Sequence, residues 1–223
     1  MAILEINTDL SKSAMHETEA MEWVASPMAG VTRRMLEREG EGGARRATSV
    51  VRYAPGSRFS PHTHRAGEEI LVLEGTFSDE NGDYRQGFYV RNPPGSTHTP
   101  FSSVGTTIFV KLQQFSPDDS KHVILDTNAT PWQAGWEDGV EIMPLHEYGE
   151  ERIDLFRLAP GVAFASHDHP GGEELFVVDG SIEDEHGSYP KGCWLRCPPG
   201  SSHAPASAGG ALLYVKSGHL GAV

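Results

Sequence analysis

Cysteine is scarce in this chain, with 2 residues in 223. Cys193 and Cys197 are four positions apart, and an extended strand would hold their Cα atoms roughly 13 Å from each other, beyond the reach of a disulfide. Neither belongs to a C-x-x-C pair, so both read as structural thiols. Long apolar runs are also missing. Stretches such as Ile70-Leu-Val-Leu73 and Leu175-Phe-Val-Val178 fall far short of the ~20 residues that a spanning helix needs, and no membrane span is expected. The N-terminal Met1-Ala-Ile-Leu-Glu-Ile-Asn has no basic head, long apolar stretch or small-residue cleavage site, which makes a cytoplasmic chain the expectation. Positive charge is in deficit: 18 Lys and Arg against 31 Asp and Glu give a formal net charge of −13. With no basic stripe in either half, direct nucleic-acid binding is not expected. Helical periodicity is weak, and only Ser13 to Trp23 reads as a possible short helix.

The chain has turn residues in excess. It contains 25 Gly and 15 Pro, dispersed among Val, Ile, Leu and Phe rather than gathered in a tract. Short apolar segments such as Arg46–Tyr53 and Thr106–Leu112 alternate with turns every eight to twelve positions or so, which reads as all-β. Asn81-Gly82 and its counterpart His186-Gly187 mark hairpins, because Asn and Gly tolerate the positive φ of a type I′ turn.

The chain also repeats itself. Gly56-Ser-Arg-Phe-Ser-Pro-His-Thr-His-Arg-Ala-Gly-Glu-Glu69 returns as Gly161-Val-Ala-Phe-Ala-Ser-His-Asp-His-Pro-Gly-Gly-Glu-Glu174, a shift of 105 residues. From Gly56 to Pro100 the two copies share 21 of 45 residues without a gap, which identifies a duplicated unit. Upstream, Gly30–Leu36 matches Gly139–Leu145 at a shift of 109, implying four extra residues around Glu41-Gly-Gly in the first copy, as a longer hairpin tip. Two domains are expected, 1–117 and 118–223, joined through the polar, turn-forming Ser116-Pro-Asp-Asp-Ser-Lys121.

Histidines carry the candidate chemistry. His62 and His64 project from the same face of an extended strand, and Glu68 shares their parity. The turn at Arg65-Ala-Gly weakens that parity, so Glu69 stays open as a substitute. His98 follows a Pro93-Pro-Gly turn that could return the chain to the same face. The second copy offers His167, His169, Glu173 and His203 at the same spacing. A lone H-x-H is more often just polar surface, but four ligand types recurring at identical spacing point to a metal. Three imidazoles and a carboxylate suit Zn, Fe(II), Mn, Ni or Cu rather than Ca or Mg, giving one divalent transition metal per domain. The other histidines, His16, His122, His146, His186 and His219, have no counterpart in the other copy and read as surface or loop residues. Arg91 and Arg196 could meet an anionic ligand, though pairing with a nearby carboxylate is the commoner use. Tyr84 and Tyr189 read as barrel packing, and Asp79-Glu80 and Asp184-Glu185 as solvated hairpin tips.

The spacing Gly56-x5-His62-x-His64-x3-Glu68-x6-Gly75, followed by Gly87-x5-Pro93-x-Gly95-x2-His98, resembles the two cupin motifs, and Gly161 to His203 fits as well. The resemblance implies two cupin barrels in tandem, double-stranded β-helices of the jelly-roll type. The Gly-Glu-Glu, Asp-Glu-x-Gly-x-Tyr and Arg-x-Pro-Pro-Gly-Ser-x-His-x-Pro stretches look like the cupin-like domain of the anti-sigma factor ChrR. That likeness implies a zinc-type site, an oxidative signal, and a sigma factor or other regulatory protein as partner. The chain departs from ChrR in having a second cupin in place of the sigma-binding zinc domain. A metal-binding regulatory or sensing bicupin is the leading expectation. The alternative is an Fe(II)- or Mn-dependent cupin dioxygenase taking a small diketone or hydroxyaryl ketone as its ligand. No catalytic residue is assigned. By analogy with single cupins, the two barrels would pack as an internal pseudo-dimer.

Overall fold

A computed structural model describes residues 5–40 and 44–221; the hairpin tip expected around Glu41-Gly-Gly lies outside the described residues. Alternating apolar positions form strands because a pleated chain buries every second side chain. Every strand pairing among the described residues is antiparallel, and no helix there is long and apolar enough to cross a membrane.

The strands form two jelly-roll barrels, as expected. In the first, the main sheet runs in the order Val123–Asp126, Phe88–Asn92, Glu68–Asp79, Thr106–Leu112, Arg46–Tyr53, Val31–Glu39 and Val24–Ala25. In the second the order is Ala14–Glu17, Cys193–Cys197, Glu173–Asp184, Ala211–Ser217, Glu151–Leu158, Val140–Tyr148 and Gln133–Ala134. Each interior is lined by the inward face of these strands: Ile70, Val72, Val90, Ile108 and Val110 in one, and Leu175, Val177, Leu195, Leu213 and Val215 in the other. Burying one such side chain stabilises by about 1.5–3 kcal/mol.

The compact units do not follow the linear cut at 117/118. One comprises Met1–Thr8 and Glu22–Ala129, the other Asp9–Met21 and Thr130–Val223. The reason is an exchange of strands. Ala14–Glu17, from the first repeat, pairs with Cys193–Cys197 of the second. Its counterpart Val123–Asp126 pairs with Phe88–Asn92 of the first. The expected helix over Ser13–Trp23 is therefore a strand with alternating burial, followed by a single 3-10 turn at Thr18–Ala20. Ser116–Lys121 is likewise more than a linker, since Asp119 is buried against Arg91 at 2.7 Å.

Two local details fix the barrel ends. The hairpin Glu68–Asp79/Gly82–Arg85 forms where expected, but neither Asn81 nor Gly82 takes a positive φ. Instead the Asp79 carboxylate accepts the Asn81 N–H at 2.8 Å, so a side chain organises the turn. Gly75 and Gly180 adopt φ of +71° and +73°, and a Cβ on either would lie 2.1 Å from the carbonyl oxygen of Gly105 or Gly210. Only glycine fits there.

Candidate metal centres

The histidine spacing works as parity suggested. His62–Thr63 is a short strand paired with Thr97–His98, in a register that sets His98 opposite His62; His203 faces His167 likewise. Sequence positions 36 apart thus become cross-strand neighbours. The ligand nitrogens of His62, His64 and His98 lie within 4.8 Å of one another, as do those of His167, His169 and His203. Glu68 Oε2 is 3.3 Å from His64 Nε2 and 3.4 Å from His98 Nε2. Glu173 is 3.6 Å from His169 Nδ1 and 3.9 Å from His203 Nε2. Of the two carboxylates, Glu68 lies beside the histidines, while Glu69 turns to Arg91 and its counterpart Glu174 to His219.

The donor set fits a transition metal. Among His64, Glu68 and His98, donors are separated by 2.9 to 3.4 Å, and His62 lies within 4.8 Å of the two histidines. Bonds near 2.1 Å to a common ion would place neighbouring donors about 3.0 to 3.4 Å apart, from octahedral to tetrahedral arrangements. In the second quartet, His169 is buried with its Nε2 unpartnered, a costly state for a polar atom unless something binds there.

The hairpin carboxylates are the residues whose role the sequence reading missed. Asp79 and Asp184 are not solvated: Asp79 Oδ2 accepts from His98 Nδ1 at 3.3 Å and Asp184 Oδ2 from His203 Nδ1 at 3.1 Å. Tyr84 and Tyr189, besides packing, donate their hydroxyls to these same carboxylates at 3.1 and 2.9 Å. Glu80 and Glu185 accept the backbone N–H groups of Thr99 and Ala204 beside the last histidine. His62 and His167 donate Nδ1–H to the carbonyls of Ser60 and Ala165 at 2.9 and 3.1 Å. A proton held at Nδ1 leaves the Nε2 lone pair for a metal. The signal was present in the sequence, since Asp, Glu and Tyr recur with the histidines in both copies.

Electrostatics differ between the sites. Desolvation opposes charge on His98, but Asp79 and Glu68 outweigh it and raise its pKa, whereas desolvation lowers that of His64. In the second site burial pushes His169 down to about 4 and Glu173 up to about 7. Asn92 donates to Glu68 at 3.0 Å in the first site. Cys197 takes its place in the second, near His169 and Glu173, with burial raising its thiol to about 12. A protonated thiol there agrees with a structural role.

Comparisons with known proteins agree with this geometry. The ChrR cupin-like domain matches twice, over residues 11–116 and 120–221. This chain belongs to the ChrR cupin-like family. No curated protein matches it. Among solved structures it resembles a candidate dioxygenase from Nostoc punctiforme, at 17% identity and a TM-score of 0.78 over 96% of this chain and 85% of that one. It also resembles an Escherichia coli pirin in complex with nickel(II), at 10% identity and 0.69 over 92% and 98%. The salicylate 1,2-dioxygenase of Pseudaminobacter salicylatoxidans follows, at 13% and 0.63 over 83% and 75%. At such identities the likeness is one of fold.

Other residues of this ChrR cupin-like chain fall into place around the sites. Arg91 is fully buried, its guanidinium 2.7 Å from Asp119 and 3.5 Å from Glu69. Arg196 donates to the carbonyls of Lys12 and Asp9. Both arginines are thus engaged within the protein rather than offered to an anion. Two of the histidines read as surface residues are inside: His146 is buried, and the His219 ring is packed against Glu174 at 3.2 Å. A cavity of about 510 Å³ lies in the second barrel and reaches His167, Glu173 and His203, with walls that include Trp136, Phe156 and Phe164.

Proposed function

We propose that this member of the ChrR cupin-like family is a metal-dependent small-molecule enzyme of the oxygenase class. One divalent ion, iron or manganese, would be held by His62, His64, Glu68 and His98, and another by His167, His169, Glu173 and His203. The observation that carries this reading is the cavity of about 510 Å³ whose floor includes three of the second quartet, a volume within the range of small-molecule sites. When bound, such an ion supplies Lewis acidity toward an oxygen donor and redox chemistry toward dioxygen. The chain supplies the remainder. Asp184 fixes the His203 ring and the Ala165 carbonyl fixes that of His167. Phe156, Phe164 and Leu213 line the cavity and displace water from around the reacting groups. Three neutral imidazoles and one carboxylate leave a divalent ion with a net charge of +1, which favours a singly anionic donor such as a phenolate or enolate. The test is oxygen uptake by iron- or manganese-loaded protein with small diketones and hydroxyaryl ketones. Turnover abolished by His203→Ala is the expected result, and no uptake across the panel overturns the proposal.

The double match to the ChrR domain favours a second reading, a zinc-holding sensor that passes an oxidative signal to a sigma factor or other regulatory protein. Zinc in freshly purified protein, together with an oxidant-sensitive partner complex and no oxygen uptake, would select it.

A further inference from the structure

The two quartets have similar ligands but different surroundings. In the first barrel Tyr53 is buried, its ring 5.4 Å from Phe59 and 6.0 Å, edge-on, from Phe77; Phe77 in turn lies 6.1 Å from the His98 ring. Phe88 adds a fourth aromatic against Tyr84. These rings occupy the space beside the quartet. At a shift of 105 the residues corresponding to Tyr53, Phe77 and Phe88 are Leu158, Ile182 and Cys193, all in the core cluster of the second barrel. Leu112 likewise becomes Ser217.

Three exchanges run the other way: Val90 to Leu195 and Ser57 to Val162 each add less than one ring, and Phe156, in place of Val51, stands edge-on to Trp136 at 5.6 Å in the cavity wall. Interiors are close-packed, so the loss of three aromatic rings, only partly offset by these gains, leaves a void. Leu158, Ile182 and Ser217 all line the 510 Å³ cavity. On the first barrel, a cavity of about 330 Å³ touches none of the four ligand residues, and one of about 290 Å³ reaches only His98 of them, beside Asn92.

Building on the small-molecule reading above, we infer that the barrels have divided their labour: only the second admits a ligand to its quartet, while Tyr53 and Phe77 plug the first. The ligand is an aromatic, mainly hydrocarbon molecule with an oxygen donor at one end. The donor end meets His167, Glu173 and His203. The ring lies among Phe156, Phe164 and Leu213, with Trp136, 66% exposed, at the edge of the wall. Offset and edge-to-face contacts with these rings favour an aromatic guest over an aliphatic one of the same area.

The test is calorimetric titration of the full chain, loaded with nickel(II) under anaerobic conditions, with 2-hydroxyacetophenone as probe, followed in parallel by Trp fluorescence. One equivalent per chain is expected. Leu158→Tyr with Ile182→Phe, which copies the first barrel into the second, should weaken binding at least tenfold while nickel content and the circular dichroism spectrum stay unchanged. Ile182→Phe alone serves as the milder variant. Tyr53→Leu with Phe77→Ile should raise the stoichiometry to two. Two equivalents in the unaltered chain, binding indifferent to either filling variant, or no saturable binding by the nickel-loaded chain each overturn the inference. Failure of the oxygenase reading looks different: one equivalent of probe bound, yet no oxygen uptake after iron or manganese loading.

Discussion

The carboxylate of Asp184 accepts a hydrogen bond from Nδ1 of His203 at 3.1 Å, which orients the last imidazole of the second quartet before any metal arrives. Removing such an outer partner typically costs 10- to 100-fold in metal affinity. Asp184→Ala should therefore weaken the second site by about that factor and leave the first unchanged, with Asp79→Ala giving the mirror result. Competition against a chromogenic chelator, with each site assayed in a background lacking the other, reads this directly. Loss of equal size at both sites would mean the carboxylates act through general stability.

Gly75 and Gly56 separate two costs that are usually confounded. Both have positive φ, +71° and +80°, but a Cβ on Gly56 meets nothing within 4 Å while one on Gly75 runs into the Gly105 carbonyl. Gly56→Ala should cost about 1 kcal/mol, the left-handed penalty alone. Gly75→Ala should cost a further ~1–3 kcal/mol through forced backbone movement. Urea midpoints of the two variants give the difference.

Ion pairs here differ by burial. Arg91→Met removes the guanidinium that faces buried Asp119 and Glu69, and about 3–5 kcal/mol of destabilisation is expected. Arg157→Met breaks a pair to Glu141 at 3.0 Å whose side chains are about half exposed, and less than about 1 kcal/mol should follow. Equal effects in chemical denaturation would contradict the argument.

Asp154 lines the second-barrel cavity, and desolvation raises its pKa from 3.8 to about 6 against the pull of Arg152. The native carboxyl then keeps its proton to higher pH than the unfolded one. Between about pH 4 and 6 the folded state binds more protons, so this group's contribution to stability falls as pH rises through that window. Asp154→Asn should gain about 1–3 kcal/mol at pH 7.5 and almost nothing at pH 4. Thermal melts at the two pH values check the sign, which reverses if the carboxylate is stabilised in place.

The quartets were legible because ligand spacing on a strand is set by a two-residue period, and because a second copy repeated it. The all-β class followed from turn residues and short apolar runs, and the barrels from the resemblance to the cupin motifs. What escaped depends on which strands are neighbours. Asp79 reads as a solvated hairpin carboxylate until the Thr97–His98 strand is seen to bring His98 onto it. The alternation Ala14–Glu17 gives a face but names no partner, so nothing in it points to Cys193–Cys197. Leu158 and Tyr53 are both simply apolar positions in sequence. Their difference in ring volume acquires meaning only when both are found beside a metal quartet. His146 and His219 lacked repeated counterparts, and burial against local partners leaves no such pattern.

The exchanged strands impose an order of assembly. Ala14–Glu17 comes first in chain order among the described strands, yet its partner Cys193–Cys197 lies near the other end. A chain emerging from the ribosome must leave that segment waiting through the synthesis of roughly 180 intervening residues, while the first unit needs only Val123–Asp126 to complete its sheet. Contacts that close so long a loop form late. The first barrel can thus finish during translation, whereas the second, with the open cavity, cannot close its edge until its own last strands have been made.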